Sequence, residues 1–241
     1  MVGVFISDVG FNGQSIRRYF LGLWGKSISR ILGMKIIVEG KIPKPPFFFV
    51  SNHLSYVDVF ILSATIKCLF VAKDEMKRWP IFGTIVSTVG MIFVNREKRS
   101  DVKRVNGEIS KKISQYNGVT LFPESTTSPG YEILPFKSSL LDYPAKHHIP
   151  VYNASITYTT PETEQEAYKA ISWWGDVPFI NHFMNLLTVK NFTGTLIINE
   201  EPIVNENRKI LADQLHHSIS NTFKPVVEKS VFLERHGDIY N

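Results

Sequence analysis

One cysteine, Cys68, is all that this 241-residue chain contains. No internal disulfide framework can form, and a reducing compartment is the default. Long apolar runs are also missing. The longest strongly apolar stretch free of formal charge, Trp79 to Asn95, is interrupted by Pro80, Gly83 and Gly90, and it falls short of the ~20 residues that span a bilayer. It reads as a buried helix followed by a strand. The N-terminus carries Asp8 inside its apolar stretch with no basic residue ahead of it, a poor secretory signal, and Val2 before Gly3 spoils a myristoylation site. The net charge of +5 is small and scattered, which weakens a nucleic-acid reading. Neither a Gly-x-Ser-x-Gly elbow nor a His-Glu-x-x-His metal motif occurs. Repeats, low-complexity tracts and linkers are absent too. With 44% hydrophobic and 20% charged residues, disorder, collagen-like repeats and coiled coil are excluded. The expectation is one domain over residues 1–241.

What is present is an alternation of strand and helix patterns. MKIIVEG (34–40), FFFVS (47–51), CLFVA (68–72), MIFVN (91–95), VTLF (119–122), PVYNASITY (150–158) and TLIIN (195–199) read as strands. Helical patterns fall at 59–66, 74–88, 101–116, 135–146 and 206–224. This order predicts an α/β fold, a mixed and mostly parallel sheet flanked by helices. Such sheets gather function at the carboxyl ends of strands. Three polar clusters stand there: Asn52–Asp58, Asn95–Arg96 and Glu124–Ser128. Ahead of the strands, residues 16–34 set Ile16, Phe20, Leu23, Trp24, Ile28 and Ile31 at helical spacing, with Arg18, Lys26 and Arg30 on the other face. A basic amphipathic helix with Trp and Phe suits a membrane interface, and 14–34 is the candidate segment. An ordinary helix packed on the core has the same pattern.

His53 precedes Asp58 by five residues in NHLSYVD. On a regular helix that spacing separates side chains by about 140°. The two meet only if His53 lies in the loop and Asp58 in the first helical turn, with Ser55 as candidate N-cap. His53 would then be a general base, and Asp58 would accept the hydrogen bond of its other ring nitrogen. The structural alternative is that Ser55 to Asp58 forms a capping box and Asp58 merely caps the helix. That alternative leaves His53 unexplained.

NHLSYVD resembles the signature of the glycerolipid acyltransferases, the group containing lysophosphatidic acid acyltransferase. VNRE (94–97), FPEST (122–126) and IPVYNAS (149–155) resemble its later motifs in order, and WWGDVPFINHF (173–183) resembles a downstream block of some bacterial members. The resemblance covers roughly residues 35 to 200. It implies a glycerol-3-phosphate acyltransferase-like α/β fold and acyl transfer from a thioester to the hydroxyl of a lysolipid, by default 1-acyl-glycerol-3-phosphate. Acyl-CoA or an acyl carrier protein serves as co-substrate, with no other cofactor and no metal. It also implies a peripheral place on the cytoplasmic face of a membrane.

Residue by residue, the resemblance makes His53 the base and Asp58 its orienter, within a motif opened by Asn52. Arg96 falls at the position that contacts the acceptor's phosphate, where a planar guanidinium fits phosphate oxygens. Lys73 resembles a second anion-binding position. Glu124, Ser125 and Thr126 fall in the acceptor pocket, and Pro150 borders the acyl-donor groove. Phe47–Phe49 and Trp79 could line the acyl chain, although a buried core strand suits the three phenylalanines better. Pro80 and Gly83 fit a connecting segment. The third motif departs from its common form: Ser125 replaces a glycine and Thr127 an arginine. A left-handed backbone at Ser125 would cost roughly 1–2 kcal/mol. Members with Thr at that place include acyltransferases for choline-bearing lysolipids and for lyso-ornithine lipid, so a lyso-ornithine or zwitterionic acceptor is the alternative.

Two other classes remain. A thioesterase would use the same base on water, and a non-enzymatic membrane or nucleic-acid binder is suggested only by the pI. The pairs His147/His148 and His216/His217 are read as surface residues rather than ligands.

Overall fold

A computed structural model describes residues 13–74, 91–95, 99–113 and 117–238. In chain order the elements are α1 (Gly13–Ile31), β1 (Met34–Glu39), β2 (Phe47–Ser51), α2 (Val57–Thr65), β3 (Leu69–Lys73), β4 (Ile92–Val94), α3 (Arg99–Lys112) and β5 (Gly118–Leu121). There follow a single 3-10 turn (Ser138–Leu141), α4 (Asp142–Lys146), β6 (Val151–Thr159), α5 (Ala167–Ala170), α6 (Phe179–Leu186), β7 (Phe192–Ile198), α7 (Arg208–Thr222) and α8 (Lys229–His236). The strands form one seven-stranded sheet in the order β1-β7-β6-β2-β5-β3-β4. Every pairing is parallel except β6 with β7.

The centre of the sheet follows from FFFVS. A short apolar run with no alternation belongs to a strand covered on both faces, and all five residues of β2 are buried. Successive side chains point to opposite sides. Phe47 and Phe49 join the core under α1 and α2 with Phe60, Ile61 and Tyr158, whereas Phe48 and Val50 join Ile109, Leu141, Leu215 and Ile219 on the other face. The three phenylalanines are therefore core. α1 lies on α2 at very short range, because a Cβ at Gly25 would stand 2.5 Å from the Ala64 backbone nitrogen.

Register brings the loops together. Val50 pairs with Leu121 and Ser51 with Ala154, so β2 and β5 end level with the middle of β6. Their following loops open at one edge.

Several expectations shift. The helix expected over 135–146 is a 3-10 turn plus the short α4. Pro135 disfavours helical backbone at Leu134, and the Leu134 N–H is committed to Glu124. β7 starts three residues before TLIIN, and its Gly194 lies against Ile61. Helices α5, α6 and α8 lie outside the helical patterns of the sequence. The helix expected over 74–88 lies outside the described residues, along with Trp79, Pro80 and Gly83. On α1 the predicted apolar stripe divides: Trp24 and Ile28 pack on the core, whereas Phe20, Leu23 and Ile31 are exposed.

Candidate active site

His53 lies in the loop after β2 and Asp58 is the second residue of α2, the arrangement their spacing required. His53 Nδ1 stands 2.8 Å from Asp58 Oδ2, with the His side chain 19% exposed and the Asp side chain fully buried. A carboxylate accepts, so Nδ1 carries the hydrogen and the neutral ring keeps its lone pair on Nε2. Asp58 Oδ2 also accepts from the Leu54 and Ser55 backbone N–H groups, at 2.8 and 3.1 Å. Its Oδ1 accepts the Tyr158 hydroxyl at 2.6 Å. Four donors hold this buried carboxylate, which is what lets a charge sit there.

The capping alternative and the catalytic one share this carboxylate. Asp58 takes the Ser55 N–H, which is the reciprocal half of a capping box. The other half fails. Ser55 Oγ is buried without a hydrogen-bond partner and the N-cap is Tyr56, because the Asp58 carboxylate draws the 54–55 backbone into its own turn. Ser55 is therefore not the cap.

The ring of His53 is also held from the side. Phe122 stacks on it with centroids 4.0 Å apart and planes 12° from parallel, and Phe70 stacks behind Phe122 at 6.4 Å. An imidazolium over an aromatic face gains a cation–π contact that the neutral ring lacks. The stack fixes the plane of the ring.

Glu124 is 3% exposed. Its Oε1 accepts the His53 backbone N–H at 2.6 Å and its Oε2 the Leu134 N–H at 2.9 Å. Burial pushes its carboxyl up to about 8, the Asp58 charge adds to this, and the two N–H donors oppose it. Both oxygens serve the backbone. Glu124 thus ties the loop after β5 to His53 and to the segment at 134.

Asn52 serves the backbone in the same way. Its side chain donates to the Ile156 carbonyl at 2.9 Å and accepts the Ile156 N–H at 2.7 Å. It extends the β2–β6 pairing by one rung, so its amide is not offered to a substrate. Ser125 has φ +65°, so the backbone there is left-handed despite the side chain, and the loop has not shifted to avoid it. Ser125 is half-buried with Thr127 beside it, and Thr126 is exposed. Ser128 N–H donates to the His53 carbonyl at 3.2 Å and links the two loops.

Lys73 ends β3, exposed, on the same carboxyl edge. Arg96 lies outside the described residues. Pro150 lies away from His53. Val151 pairs with Phe48 near the start of β2, so Pro150 stands at the opposite edge of the sheet, roughly 15 Å down the strand. The β6 residues that do reach the site are Ile156 and Tyr158. His147, His148 and His217 are exposed, and His216 bonds the Ile133 carbonyl. Among the described residues no group of three or more His, Cys, Asp or Glu could hold a metal ion.

Sequence reasoning missed the support behind the loop. Trp173 N–H donates to the Leu54 carbonyl at 2.8 Å. His182, buried on α6, bonds the Ser172 carbonyl through Nε2 and the Tyr56 hydroxyl through Nδ1, both at 3.0 Å. A carbonyl only accepts, so Nε2 carries the hydrogen and Nδ1 accepts from Tyr56. Burial lowers the pKa of His182 and raises that of Tyr56, keeping the pair neutral. Buried Tyr and His demand partners, and that demand was the available signal; the partners lie about a hundred residues away.

A family model described as acyltransferase matches residues 35–157. The chain is 29% identical over 177 residues to a lyso-ornithine lipid O-acyltransferase of Rhodobacter capsulatus, covering 72% of this chain and 63% of that protein's length. It is 26% identical over 199 residues to a 1-acyl-sn-glycerol-3-phosphate acyltransferase of Neisseria meningitidis, covering 81% and 77%. The crystal structure of the 1-acyl-sn-glycerophosphate acyltransferase PlsC from Thermotoga maritima superposes with a TM-score of 0.65 at 21% identity, over 90% of this chain and 84% of that one. At that identity the likeness is one of fold.

Proposed function

Because the chain belongs to the acyltransferase family, we propose that it moves a fatty acyl group from an acyl thioester to the free hydroxyl of a lysolipid. One observation carries the reading: Nδ1 of His53 is 2.8 Å from a buried carboxylate, which leaves Nε2 as the base. The hydroxyl oxygen attacks the thioester carbonyl while Nε2 takes its proton. The carbon–sulfur bond then breaks, and the sulfur leaves as a thiol after receiving that proton from the imidazolium. Asp58 fixes the tautomer and stabilises the cation that forms. A thioester is already activated, so the chemistry requires neither an acyl-enzyme nor a metal.

The default acceptor is 1-acyl-glycerol-3-phosphate. Thr127 favours a second reading, a lyso-ornithine or zwitterionic lysolipid. Losing an arginine's hydrogen bond to a phosphate monoester weakens binding roughly ten- to hundredfold. Lys73 and Arg96 are the candidate anion contacts. The donor is acyl-CoA or an acyl carrier protein.

Peripheral attachment to the cytoplasmic face of a membrane completes the proposal. No helix among the described residues is long and apolar enough to cross a bilayer. α1 exposes Tyr19, Phe20 and Leu23 beside Arg18, Lys26 and Arg30 and has no acidic residue. The test is a labelled acyl donor offered with a panel of lysolipids. Incorporation into one of them is expected. Free fatty acid released at the same rate with and without acceptor would replace the reading with a thioesterase.

A further inference from the structure

α6 has two unlike faces. Its inner side is clamped to the catalytic loop: His182 holds Tyr56, and Phe179 and Phe183 pack around the Tyr56 ring at 5.1 and 6.5 Å. Its outer side is apolar and open. Ile180, Met184 and Leu187 are 60%, 57% and 47% exposed, and Val177 just before the helix is 44% exposed. Positions 180, 184 and 187 repeat every three or four residues, which places them in one stripe, and Val177 leads into it ahead of the N-cap Pro178. Core packing does not account for a stripe that faces solvent.

Charge and size choose between occupants. From Val177 to Asn199 the chain's one formal charge is Lys190, with Asp176 just ahead of the stripe and the Glu164 carboxylate at the Lys190 backbone N–H. α1, packed on the same α2 through Trp24 against Phe60 at 5.3 Å, is basic and free of acids. A stable protein interface needs about 20–30 residues a side. An eight-residue helix, about 12 Å long, offers far fewer. An uncharged, narrow apolar stripe together with the basic, acid-free α1 is complementary to an anionic bilayer interface.

We propose that the Val177–Leu187 stripe inserts into the surface of an anionic phospholipid bilayer. The helix that touches the lipid is then the helix that braces Tyr56 and, through Trp173, Leu54 of the catalytic loop. The inference rests on the lysolipid-acyltransferase reading, since a lipid acceptor has to be drawn from a bilayer, and it adds a second contact to that of α1.

The experiment compares the full chain with its Ile180→Glu/Met184→Glu variant in sedimentation with phosphatidylglycerol/phosphatidylethanolamine vesicles at fixed ionic strength. Acylation is measured on vesicle-embedded lysolipid and on a short-chain lysolipid below its micelle concentration. Expected are a loss of at least tenfold in vesicle partitioning and in acylation of the embedded acceptor, with turnover of the soluble acceptor unchanged, which also reports an intact fold. Partitioning within twofold of the parent would overturn the proposal. So would a parent that is dimeric by light scattering and becomes monomeric in the variant, since a second copy would then cover the stripe. If the parent acylates neither acceptor, the activity reading fails, and vesicle partitioning alone still decides the role of the stripe.

Discussion

Replacing Tyr158 by Phe removes one oxygen from a place where solvent cannot substitute for it. Tyr158 is 1% exposed, and its hydroxyl is the donor to Asp58 Oδ1 at 2.6 Å. The other three donors, from His53, Leu54 and Ser55, all converge on Oδ2. A hydrogen bond to a charged group is worth about 1.5–3 kcal/mol, so Y158F should lose about that much in chemical denaturation. Catalysis should suffer less than with the base removed, because the Oδ2 contacts still set the His53 tautomer. What changes is how firmly the carboxylate is held while an imidazolium forms beside it. A tenfold fall in kcat is roughly 1.4 kcal/mol of that support, and the expected loss is about ten- to thirtyfold with KM nearly unchanged. A double-mutant cycle with Asp58→Asn isolates the pair, and coupling of 0.5–3 kcal/mol marks groups in direct contact. Stability within about 0.5 kcal/mol of the parent, together with additive effects in the cycle, would refute the claim that Tyr158 holds Asp58.

His53→Ala should reduce turnover by about 10²–10⁴-fold, the usual contribution of a positioned base, with near-native thermal unfolding; brisk turnover by the folded variant would contradict its role. Ser125→Gly should stabilise the protein by about 0.5–1 kcal/mol, since φ +65° disfavours a Cβ by about 1–2 kcal/mol and glycine returns part of that through chain entropy; an unchanged or lower Tm would count against it. Glu124→Gln is not conservative, because an amide offers one acceptor oxygen where two backbone N–H groups require acceptors, and an unpaired buried donor costs about 1–3 kcal/mol. The same variant has a pH signature. With the folded carboxyl near 8 and an ordinary value of 4.5, the folded state keeps a proton that the unfolded chain has released, so stability is fully present below the lower value and falls as pH rises through the upper one. Denaturation midpoints from pH 4 to 9 should lose that slope in Glu124→Gln, and a slope that persists would point to another group.

The sheet was legible because its strands are short apolar runs with distinct borders, and the core role of Phe47–Phe49 follows from the lack of alternation in FFFVS. The pair His53 and Asp58 was legible because its spacing admits only one local geometry. Ser125 was legible through a departure, a side chain where the backbone favours none. The rest depended on long-range pairing. Nothing near Glu124 announces that its two oxygens will be used by His53 and Leu134 backbone groups, and nothing in VYNASITY says that its last tyrosine meets Asp58. Asn52 and Pro150 are told apart only by long-range pairing too. Motif order assigns residues to a site, but only the β2–β6 register separates Asn52, which bonds the backbone of Ile156, from Pro150 at the far edge.

The loop that carries His53 is best understood as a segment whose polar groups are held on every side by protein. The Asn52 amide is bound to Ile156; the His53 N–H goes to Glu124 and its carbonyl to Ser128. The Leu54 N–H goes to Asp58 and its carbonyl to Trp173, while the Tyr56 hydroxyl goes to His182. Those partners come from β6, the loop after β5, the 172–173 segment and α6, so four separate stretches of chain converge on seven residues. Each bond is worth little net, yet together they prevent the backbone from relaxing when charge appears on the ring. An imidazolium formed here meets a carboxylate already held by its donors and a phenyl face already stacked, so little reorganisation accompanies proton transfer, and that is how a fixed environment lowers a barrier. The cost is visible in Ser55 Oγ, buried without a partner, and in the strained Ser125. Both lie beside the base, in the two loops that had to be shaped for it, as expected where local preference yields to a required geometry.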